Sequence, residues 1–216
     1  MQIKVCGMRE PDNIKALASL PVDMIGFIFY RKSPRFIGEK LGRWLAQQGP
    51  LLEGKKRVGV FVNAEVEEVL NAVHDYELHY VQLHGEESPE YCQLLRTISE
   101  ATSMRKFQII KAFRIGEAFD FGSLSAFTPY CAYFLFDTKG AAYGGTGEQF
   151  DWGQLQQYHG VTPFLLSGGI GPESVAALRA FRHPQCYGVD INSRFETAPG
   201  LKDIEKITAF IHELNN

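Results

Sequence analysis

Short apolar segments alternate along the chain with longer segments in which apolar positions recur every three or four residues. The short segments are rich in β-branched and aromatic residues, which is typical of buried parallel strands. They are Ile3–Val5, Met24–Phe29, Arg57–Val62, Tyr80–Leu83, Ile109–Phe113, Tyr133–Phe136, Pro163–Leu166 and Tyr187–Ile191. We therefore predict a strand in each of them.

The longer segments are predicted to form helices. The clearest is Glu65–Tyr76, in which apolar residues at positions i, i+3, i+4 and i+7 form one helical face. The others are Asn13–Leu20, Glu39–Leu52, Pro89–Ile98, Glu117–Phe127, Trp152–Tyr158, Pro172–Phe181 and Ile204–Leu214. Regular alternation of strand and helix predicts an α/β fold, a (β/α)8 TIM barrel formed by residues 1–216 as a single catalytic domain. An open doubly wound sheet is the competing architecture, but no dinucleotide-binding fingerprint follows the first strand.

The composition is that of an ordinary globular protein, with 45% hydrophobic and 22% charged residues. A net charge of -3 gives no reason to expect nucleic acid or an anionic membrane as a partner. The N-terminus does not resemble a signal peptide, and no apolar segment approaches the ~20 residues that span a bilayer. The four cysteines show neither a C-x-x-C pair nor zinc-ligand spacing. We expect a cytoplasmic protein with reduced thiols and no metal.

Two reactive side chains follow predicted strands, at the end of a barrel where active sites lie. Cys6 ends the first strand and precedes Gly7. It is either a small packing residue or a general base, and its position favours the base if nearby cations lower the thiol pKa. Asp137 follows the apolar Tyr133–Phe136. It either caps the next loop or serves as a general acid whose pKa is raised by apolar surroundings.

Small polar residues follow the seventh and eighth strands and predict a phosphate site. These residues are Gly168, Gly169, Asn192 and Ser193. Backbone N–H groups of such turns bind anions, and phosphate sites recur at these two strands of the barrel. The Gly-rich segment after Asp137, with Gly144, Gly145, Thr146 and Gly147, is predicted to be a lid that excludes water. His84 follows the fourth strand and is expected to line the substrate site.

Several short motifs, taken together, resemble the phosphoribosylanthranilate isomerase family of tryptophan biosynthesis. The resemblance extends from the first strand to the last helix, and the combination of Cys-Gly, Ser-Pro-Arg and Gly-Gly-Thr-Gly is specific. The matching stretches are Lys4–Gly7, Gly26–Phe29, Ser33–Arg35, Val60–Asn63, Gln82–Gly85, Asp137, Gly144–Gly147, Phe150–Trp152, Ser167–Gly169, Gly188–Asp190, Glu196 and Pro199–Asp203.

The resemblance implies an Amadori rearrangement of N-(5'-phosphoribosyl)anthranilate to 1-(2-carboxyphenylamino)-1-deoxyribulose 5-phosphate, without a cofactor. It implies that Asp137 protonates the ribose ring oxygen and that Cys6 removes the C2 proton. It further implies that Arg35 holds the anthranilate carboxylate, a task suited to a planar guanidinium. The chain departs from the family after the eighth strand, where Asn192-Ser193-Arg194 replaces the usual two serines and a small residue.

Two other functions fit parts of this pattern. One is a different sugar-phosphate isomerase or epimerase with the same barrel, and the other is a non-catalytic phosphate-binding barrel. The presence of both Cys6 and Asp137 argues against simple phosphate binding, which needs neither residue. The expected partner is a small phosphorylated substrate, and the chain is expected to be a monomer or a homodimer.

Overall fold

Parallel strands close into a barrel that is continuous around its axis. The computed structural model describes residues 1–46, 50–101, 105–138 and 152–216. The barrel strands β1 to β8 are Gln2–Val5, Met24–Ile28, Lys56–Phe61, Tyr80–Leu83, Gln108–Ile115, Tyr133–Thr138, Phe164–Ser167 and Cys186–Ile191. Each strand pairs with the next, and β1 pairs with β8. The closed order confirms the predicted (β/α)8 barrel and rules out the open sheet.

Helices lie between most of the strands, as the periodicity predicts. The α-helices α1 to α6 are Pro11–Ala18, Gly38–Ala46, Val66–Asp75, Pro89–Ala101, Val175–Ala180 and Ile204–Asn215. Short 3₁₀-helices at Pro50–Leu52 and Pro172–Ser174 lie at the end of the predicted second helix and at the start of the predicted seventh helix, of which residues 47–49 are outside the described ranges. Of the helices in the described ranges, none combines the length and the apolar character needed to cross a membrane.

Two of the predicted helices are 3₁₀-helices instead of α-helices. They are Phe121–Ala126, which follows β5, and Trp152–Gln157, which precedes β7. The first buries Leu124 and the second buries Leu155, so each has one fully buried side chain in place of an apolar stripe. Each also contains a glycine, which weakens α-helix formation. One buried contact supports a short 3₁₀ turn better than a regular α-helix.

A small antiparallel hairpin follows β8 and was not predicted from the sequence. Its strands are β9, Glu196–Ala198, and β10, Leu201–Lys202, with Lys202 paired to Glu196. Gly200 has a φ of 83° in the connecting turn, a backbone conformation that favours glycine. Strands this short contain too few residues for an alternation of polar and apolar positions to be recognised.

Side chains alternate between the two sides of the barrel wall. In β6, Phe134 and Phe136 belong to the apolar layer between the wall and the helices. Leu135 points the other way, into a separate cluster on the barrel axis. That inner cluster contains Met24, Val58, Tyr80, Ile110, Ala112, Leu135 and Leu165. The lower interior of the barrel is therefore filled with apolar side chains, and any binding site must lie above them.

Gly188 in β8 packs closely against β1, where the barrel closes. A Cβ added there would overlap the backbone carbonyl oxygen of Gln2. Because backbone atoms cannot rotate away, we expect Gly188→Ala to lower the free energy of unfolding by ~1–3 kcal/mol. The measurement is urea denaturation, with Gly116→Ala as the control because an added Cβ there meets no atom within 4 Å. Equal midpoints for the two variants would contradict the prediction.

Candidate active site

A cavity of about 320 Å³ opens at the carboxyl ends of the barrel strands. Seven of the eight predicted site residues that lie in the described part of the chain border it. The predicted residues that line it are Cys6, His84, Asp137, Gly168, Gly169, Asn192 and Ser193. The structure thus brings together side chains and loop residues from five strand ends that are far apart in the chain.

The strand alternation explains why these side chains meet. In β6, Leu135 faces the barrel axis, so Asp137, two residues later, faces it as well. In β1, the side chains of Ile3 and Val5 pack in the outer apolar layer. The alternate positions, Lys4 and Cys6, therefore point towards the barrel axis, and Cys6 borders the cavity.

Cys6 lies at the end of β1 and packs against Gly26 in β2. It is 4% exposed, and an added Cβ at Gly26 would lie only 3.0 Å from its Sγ, so the glycine leaves room for the thiol. Burial raises the pKa of the Cys6 thiol, although the ammonium groups of Lys4 and Lys202 oppose this effect. The condition set above for a general base, a thiol pKa lowered by nearby cations, is met only in part, because the two cations act to lower this pKa but burial outweighs them. The resting form near neutral pH is the thiol.

A buried ion pair supports Cys6. Lys4 is fully buried, and its Nζ lies 2.8 Å from Oδ1 of Asp190. The hydroxyl of Ser167 donates to the other carboxylate oxygen, Oδ2, at 3.3 Å. Burial opposes the charge on Lys4, but Asp190 and Cys6 together raise its pKa, so it remains a cation. Sequence reasoning did not assign these residues to the site, although opposite charges inside two apolar strands were a visible signal.

Asp137 is oriented by a histidine. Its side chain is 32% exposed, so it is less enclosed than expected, and its Oδ2 lies 3.4 Å from Nε2 of His84. The other ring nitrogen, Nδ1, lies 2.9 Å from the amide nitrogen of Gln82. The ring of His84 therefore lies between the carboxylate of Asp137 and the side-chain amide of Gln82. His84 borders the cavity in contact with Asp137.

The loops after β7 and β8 line one side of the cavity. Gly168 and Gly169 have φ values of 92° and 65°, a conformation that suits glycine. Asn192 precedes a short 3₁₀-helix, Ser193–Phe195. Both oxygens of Asn192 accept hydrogen bonds from Lys202, which leaves the side-chain amide nitrogen of Asn192 for a ligand. Glycine turns followed by a short helix after β8 are typical of phosphate sites in this fold.

Arg35 lies beside the cavity and is not among the residues that line it within the described part of the chain. Its guanidinium is bonded to Glu196, with Nε 2.8 Å from Oε1 and Nη2 2.6 Å from Oε2. An added Cβ at Gly7 would lie 2.8 Å from Cδ of Arg35 and 2.9 Å from Oδ1 of Asn192. Because Gly7 has no side chain, Arg35 and Asn192 can both pack against its backbone.

The predicted lid residues Gly144, Gly145, Thr146 and Gly147 lie outside the described residues. Within the described ranges, no group of three or more His, Cys, Asp or Glu side chains is arranged to hold a metal ion.

Comparison with known proteins finds one family along the whole chain. Residues 3–213 match the family model described as N-(5'-phosphoribosyl)anthranilate (PRA) isomerase. The N-(5'-phosphoribosyl)anthranilate isomerase of Parabacteroides distasonis is 49% identical over 214 residues, which cover 99% of this chain and 93% of the relative.

Solved structures of the same kind have the same fold. Phosphoribosyl anthranilate isomerase from Thermotoga maritima superposes with a TM-score of 0.81 at 32% identity, covering 100% of this chain and 98% of that one. A phosphoribosyl anthranilate isomerase in complex with reduced 1-(o-carboxyphenylamino)-1-deoxyribulose 5-phosphate superposes with a TM-score of 0.79 at 29% identity and with the same coverage.

The Lys4–Asp190 pair generates a stability prediction. Lys4→Met leaves the Asp190 carboxylate buried without its counter-charge, so we expect the free energy of unfolding to fall by ~3–5 kcal/mol. The control is Lys15→Met, because Lys15 pairs with Asp12 on the surface and such pairs contribute only ~0–1 kcal/mol. Guanidinium denaturation measures both variants. A Lys4→Met protein as stable as the control would show that the buried pair is not needed for stability.

Proposed function

The chain belongs to the N-(5'-phosphoribosyl)anthranilate isomerase family, and from that premise we propose that Cys6 and Asp137 perform its acid–base chemistry. The enzyme converts N-(5'-phosphoribosyl)anthranilate to 1-(2-carboxyphenylamino)-1-deoxyribulose 5-phosphate in tryptophan biosynthesis. The observation that carries the proposal is that Cys6 and Asp137 reach one cavity from strands separated by β7 and β8. A substrate seated between them has an acid on one side and a base on the other.

The first step needs a proton donor. In its acid form, Asp137 protonates the ribose ring oxygen while the nitrogen lone pair forms a C1=N double bond and the C1–O bond breaks. The product of this step is an open-chain iminium ion. His84 supports the step because its Nε2, 3.4 Å from Oδ2 of Asp137, orients the carboxyl group. Ring opening by a positioned acid of this kind is general acid catalysis.

The second step needs a base. The Cys6 thiolate removes the C2 proton, and the electrons of the C–H bond form an enolamine with C1. The enolamine then gains a proton at C1 and loses one from the C2 hydroxyl, which gives the ketone. Lys4, buried below Cys6, supplies a positive charge that favours the thiolate against the effect of burial.

Two anion sites would hold the substrate in place. We assign the phosphate to Gly168, Gly169, Asn192 and Ser193, where backbone N–H groups and the short helix after β8 are grouped. We assign the anthranilate carboxylate to Arg35, whose side chain packs against Gly7, the residue after Cys6. A non-catalytic phosphate-binding barrel would use the first group and would leave the charged support of Cys6 unexplained.

The setting of the enzyme follows from the same proposal. We expect residues 1–216 to act as one catalytic domain, as a monomer or a homodimer, with a small phosphorylated molecule as substrate. The four cysteines are free thiols, which supports a reducing compartment such as the cytoplasm.

Cys6→Ser tests the base. A hydroxyl is almost the same size as a thiol but is far too weakly acidic to become an anion near neutral pH. We expect kcat to fall by ~10²–10⁴ while KM changes little. The loss of substrate fluorescence measures both constants, and Cys186→Ser, a half-buried cysteine outside the cavity, is the control. If Cys6→Ser kept most of its kcat, the thiol would be a packing residue.

Asp137→Asn tests the acid through the pH dependence of kcat/KM. The wild type needs an ionised Cys6 and a protonated Asp137 at once, so its rate should fall at high pH, where the acid form is lost. The variant needs only the thiolate, so its residual rate should rise until Cys6 ionises and then level. Because burial raises the pKa of Cys6, that rise should continue above pH ~8.5, the ordinary thiol value.

The control for this experiment is Asp12→Asn, a surface aspartate paired with Lys15, which should keep the wild-type profile. A descending limb that persists in Asp137→Asn would assign the acid to another group, of which His84 is the nearest.

A further inference from the structure

Arg35 presents a difficulty for the carboxylate site proposed above. Its guanidinium already faces the carboxylate of Glu196, and the two charges of such a pair cancel. The neighbourhood of the pair removes the difficulty. We propose that Glu196 and Lys202 are positioning residues that hold Arg35 with one free edge and a net positive charge towards the substrate carboxylate. This inference rests on the proposed function, in which Arg35 binds that carboxylate.

The first support is the edge of Arg35 that Glu196 occupies. Nε donates to Oε1 at 2.8 Å, and Nη2 donates to Oε2 at 2.6 Å. A guanidinium has five N–H donors in one plane. Glu196 therefore occupies the side edge, and the end edge formed by Nη1 and Nη2 is left for a second carboxylate. Among the described residues, no hydrogen bond involves Nη1.

The second support is the charge of the cluster. Lys202 is buried, and its Nζ lies 2.6 Å from Oε1 of Glu196. Its other contacts are the side-chain oxygen of Asn192 at 2.7 Å and the backbone oxygen at 3.3 Å, so its three donors are all used inside the protein. Burial lowers the pKa of Lys202, and its contact with Glu196 acts in the opposite direction. With Lys202 protonated in this contact, two cations and one carboxylate leave one net positive charge. Lys202 therefore restores the charge that Glu196 cancels, and it does so without contacting the substrate.

The third support is the hairpin that carries both residues. Glu196 in β9 and Lys202 in β10 are register partners, so the hairpin sets their side chains beside each other. The N–H group of Gly200 in the turn also donates to Oε1 of Glu196, at 3.1 Å. Burial acts to raise the pKa of Glu196, but Arg35 and Lys202 hold it below its ordinary value, so the carboxylate stays ionised. The hairpin thus holds the carboxylate of Glu196 against the guanidinium of Arg35.

The experiment compares two inhibitors that differ only in the carboxylate. One is reduced 1-(o-carboxyphenylamino)-1-deoxyribulose 5-phosphate, and the other is the same compound made with aniline. The ratio of their inhibition constants measures carboxylate recognition and does not depend on how much of a variant is folded. The wild type should prefer the first compound strongly, and Arg35→Met should abolish the preference.

Glu196→Gln and Lys202→Met should each reduce the preference by about 10- to 100-fold, the usual effect of removing a group that orients a ligand-binding residue. Their KM values should rise more than their kcat values fall. Glu77→Gln is the matched control, because it breaks an arginine–glutamate pair with Arg57 at the opposite end of the barrel. It should leave the preference unchanged.

The results distinguish a failure of this inference from a failure of the proposed function on which it rests. If Arg35→Met keeps the wild-type preference, the carboxylate lies elsewhere, and both the role of Arg35 and this inference are overturned. If Arg35→Met loses the preference while Glu196→Gln keeps it, only the positioning role is overturned, even if that variant is less stable. A normal preference in Lys202→Met alone would remove Lys202 from the proposal.

Discussion

The alternation of side chains along closed parallel strands is the constraint on which the cavity depends. Along β6 the odd and even positions divide cleanly, with Phe134 and Phe136 against the helices and Leu135 and Asp137 towards the axis. Closure brings the axis-facing positions of all strands into common layers. Apolar side chains fill the lower layers, while the buried Lys4–Asp190 pair and the polar residues that line the cavity lie above them. A register slip of one residue would turn Asp137 into the apolar outer layer.

Charged side chains inside the barrel have to be paired. The Lys4–Asp190 pair lies next to Cys6, the proposed base. The desolvation of Lys4 and Asp190 is costly, and apolar residues of similar volume would often be as stable. What the pair adds is a cation next to Cys6, in a place where burial alone would hold the proton on sulfur. The neighbouring layer of the barrel interior is apolar, so the fold does not need charged residues inside the barrel. We therefore interpret the Lys4–Asp190 pair as a feature that serves the function of the site.

The sequence predicted the strands well because a buried parallel strand is a continuous apolar run with clear ends. Residues just after those ends, such as Cys6 and Asp137, could be found for the same reason. Lys4 and Asp190 were missed because the sequence does not give the register between β1 and β8, which sets the two residues opposite each other. The ion pair between Arg35 and Glu196 was also missed, since it joins positions 161 residues apart through an unpredicted hairpin.

The two proposed anion sites have a common support. Lys202 binds Glu196, which holds Arg35, and it also binds both oxygens of Asn192 at the proposed phosphate site. One buried ammonium group therefore links the group assigned to the carboxylate with the loop assigned to the phosphate. Because a substrate held at both ends has little freedom between them, this link would also determine where its reacting carbons lie relative to Cys6. When the distance between the two anion sites is fixed, the contacts that bind the substrate also orient its reacting atoms.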